Sequence, residues 1–158
     1  MPRNIKKGQM KLDGPATSGT QIEAIYYRKK IRYSAENNVC GERRLLRKNY
    51  QSHGPDNPME MHVNAYPCEL CARELKLYAR DHNFEIHIDV SAEKGNYGES
   101  WAQWLSLYNP NALSQFKPND PCKIVISPKT GESVLEQDNK NYSVNLNETF
   151  NLREKTKR

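Results

Sequence analysis

The sequence predicts an α/β domain built on a mixed sheet of about five strands. Segments in which apolar and polar residues alternate, a pattern typical of strands, are interleaved with segments whose apolar residues recur at helical spacing. In the middle of the chain a strand, a helix and a second strand follow one another directly, and this order favours a parallel pair of strands. With 158 residues, the chain is long enough for one hydrophobic core.

The first part of the domain is predicted to be a hairpin followed by a helix. β-Branched and aromatic residues over 22–27 and 31–34 are separated by a basic turn, which is typical of two paired strands. Apolar residues then recur at helical spacing over 40–50, and the cations of this segment lie mainly toward its C-terminal half, where the helix dipole favours them. Residues 52–58 contain one glycine and two prolines and are predicted to form a loop.

The central unit contains the strand–helix–strand pattern. Apolar residues alternate with polar ones over 61–66, which predicts a strand that Pro67 ends. A helix is predicted over 68–82, and a second alternating segment predicts a strand over 84–90. Because a single helix joins the two strands, we expect them to be parallel neighbours in the sheet.

The second half of the domain carries weaker patterns. Apolar residues at helical spacing predict a helix over 101–108, and a continuous apolar run predicts a strand over 122–127. Residues 134–146 add the pattern of a further hairpin. Three aromatic residues of the predicted helix either pack in the core or stack nucleic-acid bases: Trp101, Trp104 and Tyr108.

Composition predicts one domain with polar ends. The hydrophobic fraction is 36% and the charged fraction 27%, so part of the chain is expected to lie outside the core. We assign 1–20 as a linker-like segment, 21–146 as the domain and 147–158 as a charged tail. No apolar run resembles a membrane helix or a signal peptide, so we expect a soluble chain without a membrane partner. The net charge of +5 favours phosphate-rich partners such as nucleic acid.

The four cysteines are spaced in a way that favours metal binding or reactive thiols in a reducing compartment over disulfides. Cys68 and Cys71 fall in a first helical turn, so both sulfurs can face one point, and the helix N-terminus is expected to favour their thiolate forms. Cys40 can supply a third sulfur. Glu42 lies near that point without being a ligand, as a catalytic metal site requires. Two alternatives stay open at this stage: a structural four-sulfur zinc site that includes Cys122, and a thioredoxin-like redox pair.

Two motifs resemble the signature of zinc-dependent deaminases of the cytidine-deaminase superfamily, which is His-x-Glu followed by Pro-Cys-x-x-Cys, with Cys in place of His in one variant. They are Cys40-Gly41-Glu42 and Pro67-Cys68-Glu69-Leu70-Cys71. The resemblance covers roughly 22–90, where the predicted element order also follows that of the superfamily. It implies a three-layer fold with the zinc-bearing helices on one face of the sheet. The helix that usually precedes the first strands is not evident in 1–20, which leaves one sheet face without a predicted cover.

The same resemblance implies a cofactor, a reaction and a biological setting. Zinc is expected at Cys40, Cys68 and Cys71, with Glu42 carrying protons while water replaces the exocyclic amine of a base. The compact basic chain also resembles the deaminase domains of bacterial polymorphic toxins. That likeness implies deamination of cytosine in DNA or RNA, expected to be single-stranded. It also implies delivery into the reducing cytoplasm of a target cell and an immunity protein that covers the site.

Further residues near the motifs are candidates for contacts with substrate or ligands. His62 and Asn64 share one face of the strand that leads to Pro67, so we assign both to substrate binding. His62 is not assigned as a ligand, because the triplet starting there lacks a glutamate. Three arginines next to the ligands either offset the charge of the thiolates or are solvated: Arg43, Arg44 and Arg73.

Overall fold

A single mixed sheet of seven strands forms the framework of the described part of the protein. The computed structural model describes residues 21–26, 29–34, 40–93, 97–130 and 132–152, with only the backbone for the first two ranges. The elements in chain order are β1 (Gln21–Tyr26), β2 (Lys29–Ser34), α1 (Gly41–Asn49), a 3-10 turn (Tyr50–Ser52), β3 (Met59–Val63), α2 (Glu69–His82), β4 (Ile86–Val90), α3 (Gly98–Tyr108), α4 (Ala112–Gln115), β5 (Cys122–Ile126), β6 (Glu132–Gln137), β7 (Lys140–Asn145) and α5 (Leu146–Thr149).

The strands lie in the order β2-β1-β3-β4-β5-β6-β7. β3 and β4 are parallel, with Met61 opposite Ile88, and every other pair is antiparallel. The predicted α/β class, the mixed sheet and the parallel pair around α2 are therefore confirmed. All five strands expected from the sequence are present, and the hairpin expected within 134–146 adds two more as β6 and β7.

The sheet has one buried and one open face in the part of the chain that the structure describes. In β3, Met59, Met61 and Val63 are buried, whereas Glu60 is exposed and His62 is half-buried. The same alternation holds in β4 and β5. The helices cover the apolar face, and the described residues form two layers. The third layer that the resemblance implies is not among the described residues, and the opposite face of β3, β4 and β5 carries exposed or half-buried side chains.

Buried polar contacts fix the packing of α2 against its neighbours. Lys76 is fully buried and its ammonium donates to the carbonyl oxygen of Ser127, just after β5. On the other side, Arg47 of α1 makes a bidentate pair with the fully buried Glu74, at 2.8 Å from Nε and 2.7 Å from Nη2. These contacts join α2 to α1 and to the residue that follows β5.

Two predicted boundaries differ from the structure. β3 begins at Met59 and ends at Val63, so Asn64 to Tyr66 lie in a bend that brings Pro67 to the start of α2. The packed domain also continues beyond residue 146, because α5 and Phe150 lie inside the predicted tail and Phe150 is 6% exposed. The predicted linker 1–20 and residues 153–158 lie outside the described residues. Within the described ranges, no helix is long and apolar enough to cross a membrane.

Candidate metal centre

Three cysteine side chains converge where α1 and α2 begin. Cys40 and Cys68 are the N-cap residues of these two helices, and Cys71 lies in the first turn of α2. The Sγ atoms of Cys40 and Cys68 are 3.8 Å apart, those of Cys68 and Cys71 are 3.4 Å apart, and all three lie within 4.8 Å of one another. A tetrahedral zinc with bonds of 2.3 Å separates its sulfurs by about 3.8 Å. The three cysteines can therefore hold a metal ion.

Backbone geometry directs these thiols toward one point. Both N-cap residues have extended backbone angles, and their carbonyl oxygens accept the first helical hydrogen bonds, from Arg44 to Cys40 at 3.1 Å and from Ala72 to Cys68 at 2.8 Å. Neither N-cap side chain caps its own helix. The two sulfurs lie beside each other, 3.8 Å apart, and do not bond to the N–H groups of their own helices.

Burial and neighbouring thiols act on the pKa values of Cys68 and Cys71 in the direction opposite to the helix N-terminus. Burial raises the pKa of Cys71 well above its usual range, and hydrogen bonds with Cys40 and Cys68 raise it further. The hydrogen bond with Cys40 likewise raises the pKa of Cys68. Burial and crowding of like groups therefore outweigh the helix N-terminus, and a bound cation is what would allow all three sulfurs to ionise together.

Glu42 brings a buried carboxyl group to the same point. Its side chain is 1% exposed, and its Oε1 atom has no hydrogen-bond partner among the described residues. Burial raises the pKa of Glu42 to about 8, and the charge of Cys40 adds to that shift. An unsatisfied buried carboxyl is costly unless water or a ligand meets it. The donor set therefore fits a metal ion with a polar group beside it.

Arg43 is the arginine that the structure brings to the thiols. It is fully buried, and its Nη2 atom lies 3.8 Å from the Sγ of Cys40. Burial alone would lower the pKa of Arg43, but the charges of Cys71 and Cys40 outweigh it and raise that pKa. Three thiolates around a divalent cation carry one net negative charge, which this guanidinium can neutralise. Arg73 pairs with Glu69 at 3.4 Å instead.

The two residues assigned to substrate binding are placed differently from what the sequence predicted. His62 lies on the open face of the sheet, and its Nδ1 atom is 3.2 Å from a carboxylate oxygen of Asp89. It therefore faces away from the helices and the thiols. The prediction that His62 and Asn64 share a strand face toward the site is wrong, because β3 ends at Val63 and Asn64 lies in the following bend. Asn64 is half-buried, four residues before Cys68, and its assignment to substrate stays a prediction.

The fourth cysteine and two residues of the aromatic stripe, Trp101 and Trp104, pack in the main core, whereas Tyr108 is 39% exposed. Cys122 is buried among core residues, and its thiol is not part of the three-sulfur cluster. Trp101 is fully buried, so base stacking on it is excluded, while Trp104 is partly buried against it. The Tyr108 hydroxyl donates to the carbonyl oxygen of Asn145 at 3.2 Å.

Two contacts around the centre were not predicted. The indole N–H of Trp101 donates to the carbonyl oxygen of Pro67 at 2.9 Å, and the pair of Arg47 with Glu74 joins the two helices that carry the thiols. The partners are 34 and 27 residues apart in the chain. No local pattern signals such a pairing.

No protein-family description matches the chain, and no curated protein or solved structure matches it either.

Proposed function

We propose that this protein is a zinc-dependent deaminase that converts cytosine to uracil in nucleic acid. The observation that carries the proposal is the meeting of three buried thiols with one buried carboxyl group, whose Oε1 atom has no hydrogen-bond partner among the described residues. Three protein ligands leave one position of a tetrahedral metal for water, which is typical of catalytic zinc sites. Zinc bound to Cys40, Cys68 and Cys71 would supply the Lewis acidity that activates this water.

Glu42 performs the proton transfers in this proposal. It accepts a proton from water while the water oxygen bonds to C4 of cytosine, and it delivers that proton to the ring nitrogen N3. It then moves the remaining proton to the exocyclic amine as the bond between C4 and nitrogen breaks, so that ammonia leaves and uracil remains. Burial raises the pKa of Glu42 and so favours the protonated carboxyl, which is the form that returns a proton to the base.

The site geometry supports this function over the two alternatives. A structural four-sulfur zinc site needs Cys122, whose thiol lies outside the cluster and near Tyr66. A thioredoxin-like pair would use Cys68 and Cys71 and would give no role to Cys40, which is 3.8 Å from Cys68. Neither alternative uses the buried carboxyl of Glu42.

The substrate part of the proposal depends on burial and charge. The three thiols and Glu42 are each at most 7% exposed, which favours a single extruded or unpaired base over one that stays stacked in a duplex. The net charge of +5 favours a phosphate-bearing substrate over a free nucleoside. Delivery into a target cell as a toxin domain, with an immunity protein as partner, is the corresponding biological proposal.

The direct test measures deamination by the zinc-loaded protein. Wild type should convert cytosine to uracil in a single-stranded oligonucleotide and release ammonia, and sequencing of DNA and RNA from cells that express it should show C-to-T changes in the matching polymer. Glu42→Gln keeps the size of the side chain but cannot carry the proton, so it should lose activity and retain zinc.

The control separates the proton carrier from the ligands. Cys71→Ala should lose both zinc and activity, because it removes a ligand. Conversion that is equal in wild type and Glu42→Gln would refute the assignment of Glu42. Absence of conversion by fully zinc-loaded wild type on DNA and RNA alike would refute deamination of cytosine.

A further inference from the structure

We infer that Trp101 is a positioning residue for the metal centre, acting through the backbone of the Pro67–Cys68 peptide. The inference rests on the proposed metal site but not on deaminase activity. Trp101 lies in α3, 30 residues beyond Cys71, and it touches the site through one hydrogen bond to the carbonyl of the residue that precedes Cys68.

The hydrogen bond is buried and geometrically favourable. The indole nitrogen of Trp101 is 2.9 Å from the oxygen of Pro67, Trp101 is fully buried, and Pro67 is buried as well. We call residues 64–68 the ligand loop. The hydrogen bond joins the indole of Trp101 to this loop. Loss of the indole N–H would leave the buried carbonyl of Pro67 unsatisfied, which costs free energy. Folding therefore favours the state in which the hydrogen bond is formed.

Peptide planarity transmits this contact to the ligand. The carbonyl of Pro67 and the amide and Cα of Cys68 belong to one rigid plane, so fixing the oxygen also fixes the point from which the Cys68 side chain departs. The ring of Pro67 also restricts its φ angle, which further limits how the Pro67–Cys68 peptide plane can be oriented. Cys68 is the least buried of the three cysteines, at 7% exposure against 0% for Cys40 and Cys71. Its sulfur is therefore the one that most needs an external constraint.

Helix α3 is itself held firmly enough to act as the reference. The first residue of α3, Gly98, contacts the backbone of Pro118 so closely that a Cβ built there would lie 1.8 Å from its carbonyl oxygen. The loop at Pro118 is braced in turn by Gln137, whose side-chain amide bonds to both the N–H and the carbonyl of Lys117 at 2.8 Å. This sequence of contacts runs from β6 through α3 to the ligand loop.

The test compares Trp101→Phe with the matched control Trp104→Phe in the full chain. Phenylalanine keeps an aromatic ring at either place but cannot donate, and Trp104 packs against Trp101 with ring centroids 4.8 Å apart. Zinc affinity would be measured by competition with a chelator, and cobalt(II) would replace zinc to report ligand geometry through its d–d and sulfur charge-transfer absorption. We expect Trp101→Phe to weaken metal binding by roughly tenfold or more and to shift the cobalt spectrum, and Trp104→Phe to change neither.

A second variant removes the donor with almost no change of shape, for use if Trp101→Phe does not fold. In a Trp104→Phe background, tryptophan is replaced by the benzothienyl analogue, which has sulfur in place of the indole N–H. The same loss of metal affinity supports the inference, and affinity and spectrum unchanged from the control overturn it. Wild type that binds no metal overturns the metal centre and this inference together, whereas wild type that binds metal without deaminating overturns the proposed function alone.

Discussion

At the scale of single residues, Arg43 brings a positive charge to the three thiols. Its guanidinium is fully buried beside Cys40, and its Nε and Nη1 atoms have no hydrogen-bond partner among the described residues. A buried cation without a carboxylate partner is costly unless a negative group compensates it. Thiolates of Cys40, Cys68 and Cys71 in the proposed metal centre would supply that negative group.

We predict that Arg43→Met weakens zinc binding by about tenfold to a hundredfold, the range typical of groups that support metal ligands. Methionine fills a similar volume but leaves the negative charge of the metal–thiolate cluster uncompensated. Chelator competition at two ionic strengths measures the effect. The control is Arg44→Met, which changes the half-buried arginine at the next position. Equal zinc affinity in Arg43→Met and wild type would contradict the role of Arg43.

At the scale of secondary-structure elements, the pair of Arg47 and Glu74 fixes how α1 lies against α2. Arg47 is seven residues after Cys40, and Glu74 is three residues after Cys71, so each partner lies on the helical side that carries a ligand. Glu74 is fully buried and Arg47 is 18% exposed. The pair therefore joins the two helices one to two turns beyond the thiols.

Arg47→Met should destabilise the zinc-loaded protein by about 3–5 kcal/mol, because it removes the guanidinium that pairs bidentately with a buried carboxylate. The double variant Arg47→Met with Glu74→Leu removes both charges and should recover most of that loss. Denaturant unfolding of wild type and of both variants gives the free energies. A double variant that is no more stable than Arg47→Met would show that the buried charge is not the cause.

The contact of α3 with the loop at Pro118 makes a second prediction at this scale. Gly98→Ala places a Cβ where the carbonyl oxygen of Pro118 lies, so α3 or the loop must shift. We expect a loss of about 1–3 kcal/mol or more, as for overpacked cores. Gly54→Ala is the control, since nothing lies within 4 Å of a Cβ built there. Thermal unfolding should separate the two variants clearly.

Sequence patterns predicted the secondary-structure elements better than the ends of these elements and the tertiary contacts between them. Alternation located β3, but its last three expected residues leave the strand, because the chain must bend there to bring Pro67 to α2. The cysteine spacing predicted the cluster, since helix geometry places Cys68 and Cys71 on one turn. It did not predict the indole of Trp101 at Pro67, because that contact depends on how α3 packs. Phe150 was assigned to the tail because a single apolar residue after a polar run shows no periodicity. Its burial, like the contact of Trp101, depends on tertiary packing.

At the scale of the whole molecule, the positive charge is segregated. Residues 40–152 contain 12 Lys and Arg against 15 Asp and Glu, whereas 1–39 contain 8 against 3 and 153–158 contain 4 against 1. The net positive charge therefore comes from 1–39, which include the β1–β2 hairpin of the sheet, and from 153–158. Because 40–152 alone carries a formal charge of −3, we expect attraction of polyanions to depend mainly on these two segments.

This segregation predicts where nucleic-acid affinity is lost. Replacing the four cations of 153–158 by glutamine should lower affinity for a single-stranded oligonucleotide and reduce the slope of log affinity against log salt by about 0.7 per lost phosphate contact. The control replaces Lys117 and Lys129, two exposed lysines of the domain, and should change the slope less. Equal slopes in the tail variant and wild type would place the phosphate contacts elsewhere.

The position of Trp101 has a consequence for biosynthesis. The three thiols are complete once Cys71 has left the ribosome, whereas the indole that orients Cys68 is synthesised 30 residues later, and β5 to β7 later still. All three ligands of the proposed centre are therefore synthesised before the side chain that positions one of them. We expect tight retention of an ion to require completion of the polypeptide, even though the ligands themselves are available earlier in translation.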